Sequence, residues 1–215
     1  MKLRFLFLFV GILFNAQANA LQERHMIVLR HGESEDVVMK VCNSNPKHAQ
    51  YKPALLTDKG REQVKKAAEQ LLSHGFDNRN IKAVYVSTLP RAVETANLLA
   101  QIGVFSLDKM HLEEKLNEIK AGDKEGQPQS DFVTETWWVG DQDAHALHAE
   151  SSTLLRKRML ELYDEIEKKH PDGHVLIVTH GMPSMELIDS LTKTKVKLEL
   201  AQAYIVPLAN RTELV

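Results

Sequence analysis

The chain has 215 residues, 43% of them hydrophobic and 26% charged, with 27 basic against 29 acidic side chains and a formal charge of −2. That is enough apolar content for a packed core, and it excludes the strongly basic face of a nucleic-acid-binding protein. The single cysteine, Cys42, excludes an intramolecular disulfide, and ten scattered histidines with no pair such as HExxH leave no metal site of ordinary spacing.

Residues 1 to 20 read as a secretory signal peptide. Lys2 and Arg4 make a basic start, Phe5 to Phe14 is an almost unbroken apolar run, and Ala18-Asn19-Ala20 offers the small residues of a cleavage site. The run is too short to anchor a bilayer-spanning helix, so no stable membrane insertion is expected after cleavage. The expected mature chain, 21–215, is one domain in the periplasm or outside the cell. Without Lys2 and Arg4 it carries 25 basic against 29 acidic residues, a formal charge of −4. An anionic ligand therefore needs a local basic pocket. Asn210-Arg211-Thr212 matches a glycosylation acceptor, a three-residue pattern of little specificity.

The first predicted strand is the apolar run MIVL that ends in Arg30-His31-Gly32-Glu33, the glycine marking a turn at the strand's C-terminal edge. Ser34 to Leu56 has no clean periodicity and reads as a long loop with one short helical turn. Thr57 caps a helix to about Ser73, whose apolar face is Val64, Ala67, Ala68, Leu71 and Leu72, and Gly75 stops it. Ile81 to Val86 is the second strand. Ser87 and Thr88 open a helix with Pro90 in its first turn, ending near Gly103. Phe105 to Leu112 carries a short third strand, and LNEIKAGDKEG at Leu116 to Gly126 is a glycine-punctuated acidic loop.

An irregular insertion spans about 127–150 and contains Trp137 and Trp138, which pack it onto the body or form one wall of a cleft. Ser151 or Ser152 caps a helix to about Lys169, its apolar face Leu155, Met159, Leu162 and Ile166. His174 to Thr179 is the central strand, Met182 or Pro183 starts another helix, and Ala203 to Leu208 is the last strand. Strands alternating with one-faced helices argue an α/β three-layer sandwich, a mostly parallel central sheet with helices on both faces.

Open α/β sheets place ligands at the C-terminal ends of their strands. There the sequence puts Arg30 and His31, then Arg91 at a helix start, then His180 in VTHGMPS. Two guanidinium forks and two imidazoles suit a tetrahedral dianion. One histidine, neutral at its attacking nitrogen, would attack phosphorus, with its other nitrogen donating to a backbone carbonyl. The second, if protonated, would join the arginines in holding charge. An acidic side chain would protonate the leaving oxygen and later activate water. This scheme needs no metal or other cofactor.

Arg30-His31-Gly32-Glu33, LTDKGREQ at Leu56 to Gln63, STLPRAVETA at Ser87 to Ala96, LNEIKAGDKEG, and Thr179-His180-Gly181 stand in the order and spacing of the histidine phosphatase superfamily. The chain resembles the branch of the cofactor-dependent phosphoglycerate mutases over nearly all of its expected mature length. The resemblance implies His31 as the phosphorylated nucleophile, Arg30 and Arg91 as phosphate clamps, and His180 as the second pocket histidine. It puts Glu118 in the place of the proton donor, with Glu114, Asp123 and Glu125 as nearby alternatives. Glu33 and Glu94 are expected to pair with cations or helix NH groups.

Departures from the family pattern bear on function. Val37 stands where an asparagine often helps hold phosphate, so that clamp is missing or is supplied by Ser34 or Asn43. The mutase pattern after the acid is replaced by Ile119-Lys120-Ala121-Gly122, and Gly181 rather than aspartate follows His180. The expected activity is a secreted, metal-independent phosphomonoesterase with a small phosphorylated substrate. The alternatives are a protein phosphohistidine or phosphotyrosine phosphatase, and a phosphate-binding envelope protein without turnover.

Overall fold

The computed structural model describes residues 23–132 and 139–208. The predicted leader, Trp137, Trp138 and Asn210 lie outside the described residues. Five strands, β1 (Arg24–Arg30), β2 (Ile81–Val86), β3 (Met110–Leu112), β4 (His174–Thr179) and β5 (Ala203–Leu208), form one sheet in the order β3-β2-β4-β1-β5. β1 pairs with β4, β4 with β2 and β2 with β3 in parallel; β5 runs antiparallel along β1. β4 is central, as the sequence predicts. Pro207 is tolerated in β5 because an edge strand need not donate from every residue.

The helices are α1 (Glu35–Met39), α2 (Asp58–Ser73), α3 (Pro90–Ile102), α4 (Asp141–Ala146), α5 (Ser152–Lys169) and α6 (Gly181–Thr192). Both faces of the sheet are covered, which is why its strands read as continuous apolar runs. Met26 and Val28 of β1 and Val175 and Ile177 of β4 share one core layer with Leu155, Met159, Leu162 and Ile166 of α5. The alternate residues Ile27, Leu29, Leu176 and Val178 pack with Val64, Ala67 and Leu71 of α2 and Ala92, Ala96 and Leu99 of α3. This is the predicted three-layer α/β sandwich. Among the described residues no helix is long and apolar enough to cross a membrane.

Helix starts marked by a local cap fall where the sequence puts them. Thr57 accepts from Gly60 N at 3.0 Å and Ser151 from Leu154 N at 3.3 Å. Two other starts differ. Leu89, not Ser87 or Thr88, occupies the cap position of α3, and α6 begins at Gly181, directly after His180, rather than at Met182 or Pro183. The third strand is confined to Met110–Leu112, with a single 3-10 turn at Leu107–Lys109 before it. The insertion is more regular than expected, since it contains α4.

Glycine sits inside the first turn of α2 for a packing reason. A Cβ on Gly60 would collide with the carbonyl of Glu33, and one on Gly32 would lie 2.6 Å from the Gly60 carbonyl oxygen. The helix thus presses backbone to backbone on the turn that follows His31. Gly60→Ala, which favours an isolated helix by about 1 kcal/mol, should here lower both melting temperature and activity. A more stable and fully active variant would contradict this packing.

The far end of β1 is fixed by a buried ion pair. Arg24 donates from Nη1 and Nη2 to the two carboxylate oxygens of Glu167 at 3.2 and 2.8 Å, and from Nη2 to the His170 carbonyl at 2.6 Å. Both side chains are under 10% exposed. Removing one partner strands the other charge, so Arg24→Ala should cost about 3–5 kcal/mol, on the order of 10 °C in Tm for a chain of this size. A thermal melt checks it, and a change below about 1 kcal/mol would contradict the pairing.

Candidate active site

The three strand ends are tied together by backbone hydrogen bonds. His31 N donates to Thr179 O and Ser87 N donates to Val178 O, each at 3.0 Å. The turn after β1, the turn after β2 and the start of α6 are thereby fixed on β4. Arg30, His31, Arg91 and Glu118 line one cavity above these ends, together with Asp36 and Asn43. His180 is fully buried beside them, its ring centroid 4.9 Å from that of His31 with the planes at 62°. The structure brings together all five residues selected from the sequence.

His31 is 2% exposed. Its Nδ1 lies 2.7 Å from the Gly32 carbonyl oxygen, so a neutral ring donates there and leaves the lone pair on Nε2. Arg91 Nε donates to that nitrogen at 3.3 Å. Burial, and then the charges of Arg91 and Arg30, hold the His31 pKa well below the ordinary histidine value. This favours the neutral ring with Nε2 unprotonated, the form a nucleophile needs.

The His180 pKa is likewise held well below the ordinary histidine value, by burial first, then by Arg91, His31 and Arg30. Those causes oppose the protonated form considered for the second histidine. Its Nε2 lies 2.7 Å from Ser87 Oγ, which donates to Asn117 Oδ1 at 2.7 Å. With that hydroxyl proton committed, Nε2–H donates to Ser87. Nδ1 is buried without a partner among the described residues. Ser87 and Asn117 are functional candidates that the sequence reading passed over. Their signal is weak, because Ser87 looks like a helix cap and Asn117 is one polar residue beside an acidic loop.

Glu118 is half-buried. One carboxylate oxygen accepts from Ile119 N at 2.8 Å and the other from Gly181 N at 3.1 Å. It thus caps α6, whose cap residue His180 makes no side-chain cap of its own. Burial raises its pKa above the ordinary carboxylate value, opposed by the Ile119 hydrogen bond and by the charges of Arg91 and Arg30. Arg158 of α5 holds the segment from below, donating to the carbonyls of Lys115 and Asn117.

The neighbouring carboxylates are engaged elsewhere. Glu125 is buried and accepts from Ser44 Oγ at 2.8 Å and Asn45 N at 3.0 Å, while exposed Asp123 faces His148. Glu114 lines a separate cavity that includes Glu118 but not His31. Glu33 pairs with Lys59 at 2.7 Å and Glu94 with Arg61 at 2.7 Å. Buried Cys42 has a thiol pKa pushed up to about 12 by burial first and then by nearby carboxylates.

The departure at Val37 has a counterpart one residue earlier. Val37 lines the cavity, as does Asn43, but the Asn43 amide donates to the Lys52 carbonyl at 2.7 Å. Asp36 is 5% exposed; its Oδ1 accepts from Ser34 Oγ at 2.6 Å, and its Oδ2 stands 3.3 Å from Arg91 Nη1. Sequence reading missed Asp36 because its partner is 55 positions away. Residues 40 to 42 are zipped to 126 to 129 by Cys42 N to Gln127 O at 2.9 Å, and by Gly126 N to Cys42 O and Gln129 N to Lys40 O, both at 2.8 Å. Two loops thus close over the pocket together.

The profile of the histidine phosphatase superfamily (branch 1) matches residues 26–214. YhfR of Bacillus stearothermophilus is similar in structure, with 24% identity, coverage of 86% of this chain and 92% of that one, and a TM-score of 0.70. A phosphoglycerate mutase from Bacillus anthracis is 24% identical over 84% and 86% of the two chains, TM-score 0.66. A mycobacterial glucosyl-3-phosphoglycerate phosphatase is 21% identical over 85% and 89%, TM-score 0.63. At these identities the likeness is one of fold. No curated protein matches the sequence.

Proposed function

The chain belongs to the histidine phosphatase superfamily, and on that premise we propose that it is a secreted phosphomonoesterase that hydrolyses a small phosphorylated substrate through phosphorylated His31. The observation that carries this reading is His31 itself, with Nδ1–H committed to Gly32 and the Nε2 lone pair in a cavity shared with Arg30, Arg91 and Glu118. His31 Nε2 bonds to phosphorus while the P–O bond of the ester breaks, and Glu118 gives its proton to the leaving oxygen. Glu118 then takes a proton from water, whose oxygen attacks the phosphohistidine and frees the ring. Arg30 and Arg91 hold charge on the phosphoryl oxygens. Hydrolysis is favoured over phosphoryl return because Ile119-Lys120-Ala121-Gly122 replaces the stretch with which mutases of this family hold phosphoglycerate.

Export rests on the basic start, apolar run and Ala18-Asn19-Ala20 of the sequence. N-terminal sequencing of protein from a secreting host should give a chain starting at Leu21; a product retaining Met1 would contradict it. For the chemistry, mixing enzyme with an aryl phosphate and quenching at alkaline pH should trap one phosphoryl group on His31, found by mass spectrometry. Hydrolysis without a trapped intermediate, in a burst experiment that resolves the first turnover, would overturn the mechanism.

Arg91→Lys keeps the charge but loses the Nε donor to His31 and the planar fork. Turnover should fall roughly tenfold to a thousandfold with the fold intact. Unchanged turnover would remove Arg91 from the pocket.

A further inference from the structure

Asp36 is a carboxylate in the first turn of α1, placed in a pocket otherwise suited to an anion and facing the buried guanidinium of Arg91. It follows the Ser34 cap position of a five-residue helix, is buried, and lines the same cavity as His31. It stands within ion-pair reach of Arg91, yet Arg91 Nη1 is buried without a hydrogen-bond partner among the described residues. The Nη1 hydrogens beside Asp36 are therefore not committed to a hydrogen bond among the described residues. A phosphoryl group on that guanidinium edge must lie against the carboxylate.

The groups facing Asp36 determine what such a ligand can be. They are Arg91 of α3, Arg30 of β1, Ser34 at its own helix start, and Tyr51 of the following loop. His31 and Glu118 line the same cavity. Burial and the two arginines disfavour the charged form of His31 and His180, and burial disfavours that of Glu118; against them stand two arginines and one aspartate, a single net positive charge. A dianion would place an uncompensated negative charge against Asp36 in a buried site, and adjacent like charges of that kind take up a proton instead.

We propose that Asp36 is a specificity-determining residue that selects the singly protonated form of a phosphomonoester, the phosphoryl hydroxyl donating to its Oδ2 while the other phosphoryl oxygens face Arg30 and Arg91. The inference rests on the phosphomonoesterase reading and sharpens its substrate to a charge state. Protons balance. The shared proton stays between phosphoryl oxygen and Asp36 when phosphorus passes from the ester oxygen to His31 Nε2, the leaving oxygen takes its proton from Glu118, and the Nδ1 proton stays on the ring, donated to Gly32 O. Because a phosphomonoester loses its second proton near pH 6, the enzyme should bind its substrate best in mildly acidic surroundings.

The test uses inorganic phosphate, whose binding needs no turnover. Calorimetry at about pH 5.5 and pH 8.5 should show the wild-type protein binding at least about tenfold more weakly at the higher pH, as the ligand loses its shared proton. Asp36→Asn keeps the Ser34 hydrogen bond and removes the charge, and should shrink that ratio to under about threefold by gaining affinity at high pH. Ser34→Ala, which leaves the charge, should keep the wild-type ratio and separates loss of charge from loss of helix start. An unchanged ratio in Asp36→Asn, or an equal gain at both pH values, would overturn selection of charge state while leaving the phosphatase reading intact. No phosphate binding in any of these folded proteins would overturn both.

Discussion

His31→Ala should abolish covalent labelling and hydrolysis together, with a loss on the order of 10⁴-fold or more in kcat. The size of the effect follows from the geometry. No other nucleophile with a basic lone pair lines the His31 cavity among the described residues, since Cys42 is held as a thiol by a pKa of about 12. His180 is bonded to Ser87 through Nε2 and sits beneath the site. The fold should survive, because His31 is anchored by its backbone to Thr179 and Ala201. Circular dichroism and phosphate binding check that, and a variant that is folded but retains labelling would move the nucleophile elsewhere.

Glu118→Gln should slow phosphorylation of His31 by roughly 10² to 10⁴ for alkyl phosphates and far less for an activated aryl phosphate, whose leaving oxygen needs little protonation. Glutamine keeps one acceptor and turns its amide toward the other backbone N–H, Ile119 or Gly181, so about 1 kcal/mol of stability should go as well. Rapid-quench comparison of the two substrate classes isolates the first step, because the same carboxylate also activates water in the second. Equal first-step losses for both would confine Glu118 to capping α6. A general acid acts while protonated, and the pKa of Glu118 is raised. Turnover at saturation should therefore persist above the ordinary carboxylate range and fall as pH rises through that elevated value. On the acid side, the lowered pKa of His31 should keep the nucleophile competent below the usual histidine range. The effect of Asp36 belongs to binding and appears in kcat/KM, not in kcat at saturation.

What could be read from the sequence was whatever local chemistry decides. Thr57, Gly103 and Ser151 bound their helices because a hydroxyl or a left-handed glycine acts on residues three or four positions away. Arg30, His31, Arg91 and His180 converge because each stands at the end of a strand or the start of a helix whose period is plain. The misplaced start of α6 has the opposite cause: its cap is the Glu118 carboxylate, 63 residues earlier in the chain. Asp36 with Arg91, and Ser87 with Asn117, escaped for the same reason. Nothing near Asp36 in sequence distinguishes it from an ordinary acidic residue in a turn, and Asn117 gains its meaning from the strand end that folds against it.

Arg30 and Thr179 are direct partners in the β1–β4 ladder, and His31 and His180 are the next residue on each strand. The 4.9 Å between their rings is close to the spacing of adjacent strands, about 4.8 Å. The spacing of the two pocket histidines is thus a by-product of backbone pairing. For an engineer this divides the molecule into chassis and attachment. Grafted segments over 43–54 or 127–132 should exchange substrate range without retuning the nucleophile. A one-residue deletion within β1 would turn its side chains to the opposite face and disable every substrate alike.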